Sequence, residues 1–155
     1  MTDRLSDHFT WAEATRSSTA DRLGIANTPD DAARQAIKDA AALMEAIRSL
    51  TARPIQITSW YRSTEVNRAV GGSATSDHIT GYAVDFRVRS WKALDVARMI
   101  IASPLMFDQL IWYPPGHPAG QTGDRLHISA APANRREVLT RNRGNSPMYA
   151  QGLSA

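Results

Sequence analysis

The sequence predicts a single α+β domain, in which helices pack on a small and mainly antiparallel sheet. Three observations support this prediction. The chain has 155 residues, the usual size of one compact domain with its own core. Hydrophobic residues make up 43% and charged residues 21%, a balance typical of a globular protein rather than a disordered one. Stretches with helical periodicity also alternate along the chain with stretches in which apolar and polar residues alternate.

Four segments are predicted to be helices. The strongest pattern lies in 27–50, where Thr28 is the expected N-cap and Pro29 takes the first helical position. The apolar stripe of this helix is expected to face the core and consists of Ile37, Ala41, Met44, Ile47 and Leu50. The shorter helices are expected at 9–14, 64–70 and 90–103, with Thr10 and Ser90 as N-caps of the first and the last.

Four segments are predicted to be strands, and they lie at 54–60, 82–88, 108–113 and 125–130. The Pro- and Gly-rich segment 114–124 precedes the last strand and is expected to form a rim over a site. Beyond about Pro132 the apolar residues show little periodicity. We therefore treat 1–155 as one domain with its core at about 5–131. The segment 132–155 is expected to be extended, and the pattern leaves open whether it wraps the domain or is loose.

Composition restricts the kinds of site that the chain can build. The sequence has no cysteine, which excludes disulfides and thiolate metal sites, so a metal would be held by His, Asp or Glu. The net charge of +3 is a mild basic excess that favours an anionic partner. No nucleic-acid recognition motif is present, so no nucleic-acid partner is expected. No apolar run approaches the roughly 20 residues that span a bilayer, and no Sec-type export signal is visible at the N-terminus.

Period-two geometry indicates a candidate metal site. In 82–88, Asp85 lies on the opposite strand face from Val84 and Phe86. In 125–130, His127 likewise lies on the face opposite Leu126. If the two strands are neighbours, Asp85 and His127 converge, and His78 in the preceding loop can complete a third corner.

Two imidazoles and one carboxylate are about the ligand set of a catalytic zinc site, with a water in the fourth position. Asp124, three residues before His127, is expected to serve as the general base if the turn at Gly123 brings its carboxylate back over the site. An ordinary interpretation remains open, in which Asp85 forms an ion pair with Arg62 or Arg87 and His127 is a satisfied strand histidine.

Four motifs add a resemblance to a known family. The segments ITSWYRS, NRAVGGSATSDHITGYAVDF, FDQLIWY and RLHIS resemble, in order and spacing, the zinc D-alanyl-D-alanine carboxypeptidase and L-alanyl-D-glutamate endopeptidase family, the LAS-type peptidoglycan peptidases. The resemblance begins near Leu5 and extends to about Ser129. It implies a fold similar to these peptidases and to the hedgehog domain.

The resemblance also assigns roles to residues. It implies one zinc ion per chain, held by His78, Asp85 and His127, with Asp124 as the base. Arg62 is similar to the family arginine that binds substrate or stabilises the developing oxyanion, a role that suits a planar guanidinium. Substrate contacts are expected from Ser73, Ser76 and Tyr61. The chain departs from the family pattern at Arg125 and Leu126, where an aromatic residue is common before the ligand histidine, and this puts the substrate preference in question.

The expected function is zinc-dependent hydrolysis of a peptide bond in the peptidoglycan stem peptide by a monomeric phage or prophage endolysin. Such an enzyme would be made in the host cytoplasm and act on the wall after release, or be associated with the phage particle. Whether the D-Ala–D-Ala or the L-Ala–D-Glu bond is cut stays open. The alternative is a catalytically inactive, zinc-containing module for wall binding or phage-tail structure. The two other histidines considered, His8 and His117, are expected to be structural and exposed, respectively.

Overall fold

The computed structural model describes residues 3–116, 123–144 and 147–154. Within these ranges the chain forms six helices and six strands. The helices are α1 (Trp11–Thr15), α2 (Ser18–Leu23), α3 (Asp31–Thr51), α4 (Thr64–Ala69), α5 (Asp77–Thr80) and α6 (Ala93–Ala102). The strands are β1 (Ile55–Ser59), β2 (Ala83–Val88), β3 (Gln109–Tyr113), β4 (Arg125–Ser129), β5 (Glu137–Arg141) and β6 (Tyr149–Gln151).

All six strands belong to one sheet, in the order β1-β2-β4-β3-β5-β6. Neighbouring strands are antiparallel except for β3 and β5, which are parallel. The predicted α+β class with a mainly antiparallel sheet is therefore confirmed. None of the helices in the described residues is both long and apolar enough to cross a membrane.

One face of the sheet forms the core together with α3 and α6. The alternating apolar side chains of the central strands are fully buried there: Val84, Phe86, Leu110, Leu126 and Ile128. The stripe predicted for α3 is buried at Ile37, Ala41, Met44 and Ile47, and Leu50 is partly buried against the same core. The polar side chains that alternate with this set are therefore directed to the other face of the sheet.

The start of α3 differs from the prediction. The N-cap is Asp30 and not Thr28, since the Asp30 carboxylate accepts a hydrogen bond from the backbone N–H of Ala33 at 2.8 Å. Both residue types cap helices well, but a carboxylate also interacts favourably with the positive end of the helix dipole. The helix consequently begins two residues after Pro29.

The start of α6 also differs from the prediction. Ser90 is not the N-cap; it has a φ of 64° and lies before the helix. The N-cap position is occupied by Lys92, whose side chain makes no capping hydrogen bond. Asp124, at the entrance of β4, supplies the missing acceptor, because its Oδ2 accepts a hydrogen bond from the Ala93 backbone N–H at 3.2 Å. This cap comes from a residue distant in sequence, so the local pattern could not indicate it.

The segment after Pro132 extends the sheet. β5 pairs with β3, and β6 pairs with β5, so this part of the chain wraps the domain edge. The two strands have only five and three residues, and β6 is largely exposed. Such short, half-exposed strands show no clear alternation of apolar and polar residues, which explains why the sequence did not predict them.

Candidate metal centre

His78 is positioned by the short helix α5. The hydroxyl of Ser76 caps this helix and accepts a hydrogen bond from the backbone N–H of His78 at 3.2 Å. Gly81 ends the helix with a φ of 96°, and a Cβ at this position would lie 2.8 Å from the carbonyl oxygen of Ala33 in α3. The glycine therefore lets α5 lie closely against α3. His78 is buried as a result.

Asp85 and His127 are directly opposite each other in the sheet. β2 and β4 are adjacent, and their register pairs Asp85 with His127. The Oδ1 atom of Asp85 lies 2.8 Å from His127 Nδ1 and 3.2 Å from His78 Nε2. One ligand atom from each of the three residues lies within 4.8 Å of the others, and all three residues are buried. The predicted convergence of these side chains is present in the structure, and we call them the His–Asp–His cluster.

The hydrogen bonds around His78 fit a metal ligand. Its Nδ1 donates to the carbonyl oxygen of Trp60 at 2.6 Å, so Nδ1 carries the proton. Burial lowers the pKa of His78, an effect that Asp85 opposes, and in the neutral imidazole Nε2 then has only a lone pair to present to Asp85. Two acceptor atoms that face each other in a buried site need a cation between them. A histidine held by a backbone carbonyl through its other nitrogen is the usual arrangement around zinc.

The carboxylate of Asp85 is ionised. Burial by itself raises its pKa, but the interactions with His78 and His127 lower the pKa of Asp85 well below its ordinary value. The cluster thus provides two nitrogen ligands and one anionic oxygen ligand. This donor set, with three protein ligands and no thiolate, fits a zinc ion with an open coordination position.

Arg62 lies beside the cluster, as predicted. One of its terminal nitrogens is 3.6 Å from Asp85 Oδ2, so the ion pair considered in the ordinary interpretation is present together with the cluster. The guanidinium is held further by Ser59 and Asn67, whose side-chain oxygens accept hydrogen bonds from it at 3.2 and 3.4 Å. The backbone N–H of Arg62 also donates to the carbonyl oxygen of His78. These contacts fix the arginine relative to the cluster.

Asp124 does not lie at the cluster, which corrects the prediction that it stands over the metal. Its Oδ1 accepts a hydrogen bond from the indole N–H of Trp112 at 3.4 Å, and its Oδ2 caps α6. It lines a cavity on the core side of the sheet with Phe86 and Leu126. The physical reason is the turn before β4: Asp124 lies just outside the strand with a φ of 61°, and this conformation directs its carboxylate to the core face.

A groove of about 950 Å³ contains the His–Asp–His cluster, and we call it the main groove. Ser73 and Ser76 both line it, as predicted for substrate contacts, although the Ser76 hydroxyl is also the cap of α5. Asp77 lines it too, but its carboxylate accepts a hydrogen bond from Ser129 and is not a fourth ligand. A second groove of about 460 Å³, the side groove, runs past α2 and shares Arg62 and Asp85 with the main groove.

Tyr61 is a buried core residue and not a residue of the main groove. It is 8% exposed, and its hydroxyl lies 3.5 Å from the carbonyl oxygen of Thr28. It contributes to the side groove only. A role in contacting substrate at the cluster, predicted for Tyr61, is therefore not supported by its position.

Of the two remaining histidines, His8 lies outside the cluster. His8 contacts Glu45, with its Nδ1 2.7 Å from a carboxylate oxygen, and this agrees with the structural role expected for it. His117 and most of the predicted rim fall within 117–122, outside the described residues.

Sequence reasoning did not predict roles for Arg125 and Tyr113 in the main groove. Arg125 lies on the same face of β4 as His127, and its guanidinium stacks on the Tyr113 ring at 4.2 Å. Burial raises the pKa of Tyr113, and the nearby charge of Asp85 raises it further. The alternation in RLHIS could have indicated Arg125. Tyr113 required knowledge of the register between β3 and β4.

Comparison with known proteins agrees with the geometry. The sequence matches the family Peptidase M15 over residues 7–111, whereas no curated protein matches the chain. The match contains His78, Asp85 and Arg62 but ends before β4, so His127 is assigned by the resemblance of RLHIS and by its position in the structure. A match over more than half of the chain, together with a buried cluster of the right ligand types, leads to one conclusion: this chain belongs to the M15 family of zinc peptidases and is a metallopeptidase.

Proposed function

We propose that this protein hydrolyses a peptide bond in the stem peptide of peptidoglycan, using one zinc ion held by His78, Asp85 and His127. The observation that carries the proposal is the position of three ligand atoms within 4.8 Å of one another in a groove large enough for a peptide. All three ligands belong to one chain, so the proposed zinc site is complete within a monomer.

The residues around the cluster support hydrolysis. Zinc, when bound, supplies a Lewis acid that polarises a carbonyl and makes a water nucleophilic near neutral pH. Arg62 can balance negative charge that develops on the carbonyl oxygen, because its guanidinium is always charged and is held in place. Tyr113 keeps its phenolic proton, since burial raises its pKa, and its hydroxyl forms a hydrogen bond with Tyr149 in the groove.

The two grooves support cleavage within a peptide. The main and side grooves meet at Arg62 and Asp85, so a substrate can extend past the cluster in both directions. A carboxypeptidase needs room for only one residue beyond the scissile bond. We therefore favour the L-Ala–D-Glu bond over the terminal D-Ala–D-Ala bond, and an endolysin-type role in wall degradation.

Metal removal and restoration test the proposal. The protein is treated with a chelator, incubated with purified peptidoglycan, and then supplied with zinc, while released fragments are identified by mass spectrometry. We expect activity to be lost with the metal and restored by zinc, with a new N-terminal D-Glu in the products. His78→Ala should abolish zinc binding and activity, whereas the control His8→Ala should retain both. Hydrolysis by the metal-free protein would refute the proposed function.

One observation favours a second candidate, a zinc-containing wall-binding module without activity. Asp124 faces away from the cluster, and the other groove carboxylates are engaged, with Asp77 accepting from Ser129 and Asp108 bound to Arg135. Among the described residues, none of these three carboxylates is therefore placed to accept a proton from a water at the cluster. Stoichiometric zinc and sedimentation with purified walls, without any released peptide, would identify this alternative.

A further inference from the structure

Arg125 lies beside the cluster on the same strand. It is two residues before His127 on β4, and side chains two apart lie on the same face at a spacing of about 7 Å. It is only 8% exposed, and it lines both the main groove and the side groove. Arg62 also lines both grooves, so two guanidinium groups stand where the grooves meet.

The Arg125 side chain is held in a defined orientation. Its guanidinium carbon lies 4.2 Å from the centroid of the Tyr113 ring. The two residues are directly opposite each other in the β3–β4 register, so the sheet itself sets this stack. A guanidinium held on an aromatic face loses little conformational entropy when it binds a planar anion.

The junction of the grooves carries a local excess of positive charge. The described residues that line both grooves are Arg62, Val70, Asp85 and Arg125, so two guanidiniums and one carboxylate share this junction. The Asp85 carboxylate near them also faces the two imidazoles, and a divalent cation in the cluster would add more positive charge. Such a site attracts an anion and is stabilised by it.

We propose that Arg125 binds a free carboxylate on the substrate residue that supplies the leaving amine. This inference rests on the proposed function and specifies its substrate class. In the L-Ala–D-Glu bond, the carbon attached to the scissile nitrogen carries the free α-carboxylate of D-Glu, whose side-chain carboxyl continues the peptide. The planar fork of Arg125 matches this carboxylate with two hydrogen bonds, and an amide in its place can match only one acceptor position. Arg62 remains the arginine that contacts Asp85 of the cluster.

Two matched peptides test the proposal. One contains L-Ala followed by γ-linked D-Glu, and the other contains D-isoglutamine in its place, so they differ only in carboxylate against carboxamide. The zinc-loaded wild-type protein is expected to cleave the acid with a kcat/KM about 30-fold above that for the amide, the size of a charge-assisted pair of hydrogen bonds. Arg125→Met should lower kcat/KM for the acid by a similar factor and change that for the amide by less than about threefold.

Control variants separate recognition from general damage. Arg68→Met removes the same charge from the exposed end of α4, lines neither groove, and should leave the preference for the acid unchanged. Arg125→Lys keeps a charge without the fork and should recover only part of the preference. An equal loss on both peptides in Arg125→Met, or no preference in the wild-type protein, would overturn the inference.

Binding measurements keep this test independent of turnover. Titration calorimetry of the two peptides with the zinc-loaded protein should show tighter binding of the acid, and Arg125→Met should remove the difference. If neither peptide is cleaved but the acid is still preferred, the proposed hydrolysis fails while the carboxylate site stands. If both peptides are cleaved at the same rate and bind with equal affinity, the carboxylate site is rejected while the proposed hydrolysis stands.

Discussion

The position of Asp124 leads to a prediction that separates stability from catalysis. In Asp124→Ala, the Ala93 N–H at the start of α6 loses its acceptor, which costs about 1 kcal/mol. The Trp112 indole N–H, in a residue only 6% exposed, loses a partner at 3.4 Å, and we assign about 1 kcal/mol to this long contact. Alanine at the φ of 61° observed here adds about 1 kcal/mol more.

Together these effects predict that Asp124→Ala lowers the free energy of unfolding by about 3 kcal/mol. Asp124→Asn keeps an oxygen acceptor and tolerates the left-handed conformation, so it should cost about 1 kcal/mol or less. Urea unfolding in the presence of a chelator measures both values without a contribution from bound metal. With a slope of about 2 kcal/mol per molar urea, the alanine variant should shift the midpoint by about 1.5 M.

Activity then tests whether Asp124 takes part in the chemistry. Because its carboxylate lies on the core face, Asp124→Asn should bind zinc normally and retain kcat within about threefold, whereas loss of a general base costs about 100-fold or more. Normal stability and zinc content in Asp124→Asn, combined with a loss of that size in kcat, would refute this reasoning. It would mean that the carboxylate turns into the main groove during the reaction.

Three further predictions concern the cluster and its supports. Asp85→Asn removes the anionic ligand without a change in size, so elemental analysis should find much less than one zinc per chain. Zinc at a hundredfold excess over Kd stabilises the wild-type protein by about 2.7 kcal/mol, and this stabilisation should disappear in the variant. Its persistence would contradict the ligand assignment. Gly81→Ala places a Cβ against the Ala33 carbonyl at a φ of 96°, so α5 must shift. The variant should be less stable by about 2 kcal/mol and should bind zinc more weakly. A variant with the stability and zinc affinity of the wild-type protein would exclude this role of the glycine. Asp108→Asn should destabilise the protein at pH 7, because hydrogen bonds from Arg135 lower the pKa of Asp108 in the folded state. This stabilisation is present above the unfolded pKa of about 4 and is lost as the pH falls through the folded value, so the unfolding curves of wild-type and variant should converge in acid. A stability difference that does not depend on pH would contradict the assignment.

Much of the candidate site could be predicted from local patterns. Alternation within RLHIS and YAVDFRV places His127 and Asp85 on polar strand faces, and this holds in any sheet that buries Leu126 and Phe86. The family match covers Asp85 and ends before His127. The zinc ligand types likewise follow from composition, since the chain has no cysteine.

The error at Asp124 arises in the turn before β4. We expected this turn to bring the carboxylate over the cluster, but it gives Asp124 a φ of 61° and directs the carboxylate to the start of α6 instead. The strands after Pro132 were missed for a different reason, because the pairing of β5 with β3 and of β6 with β5 contributes hydrogen bonds that leave no pattern in such short segments.

By itself the sequence determined four of the helices, four of the strands, the faces of the central strands and the three residues of the His–Asp–His cluster, because these depend on periodicity and on side-chain chemistry that neighbouring residues reveal. Only the tertiary structure decided which carbonyl orients His78, which helix Asp124 caps, and which aromatic ring supports Arg125. Each of these contacts joins residues at least 12 positions apart, so their proximity depends on strand order and register, which no local pattern encodes.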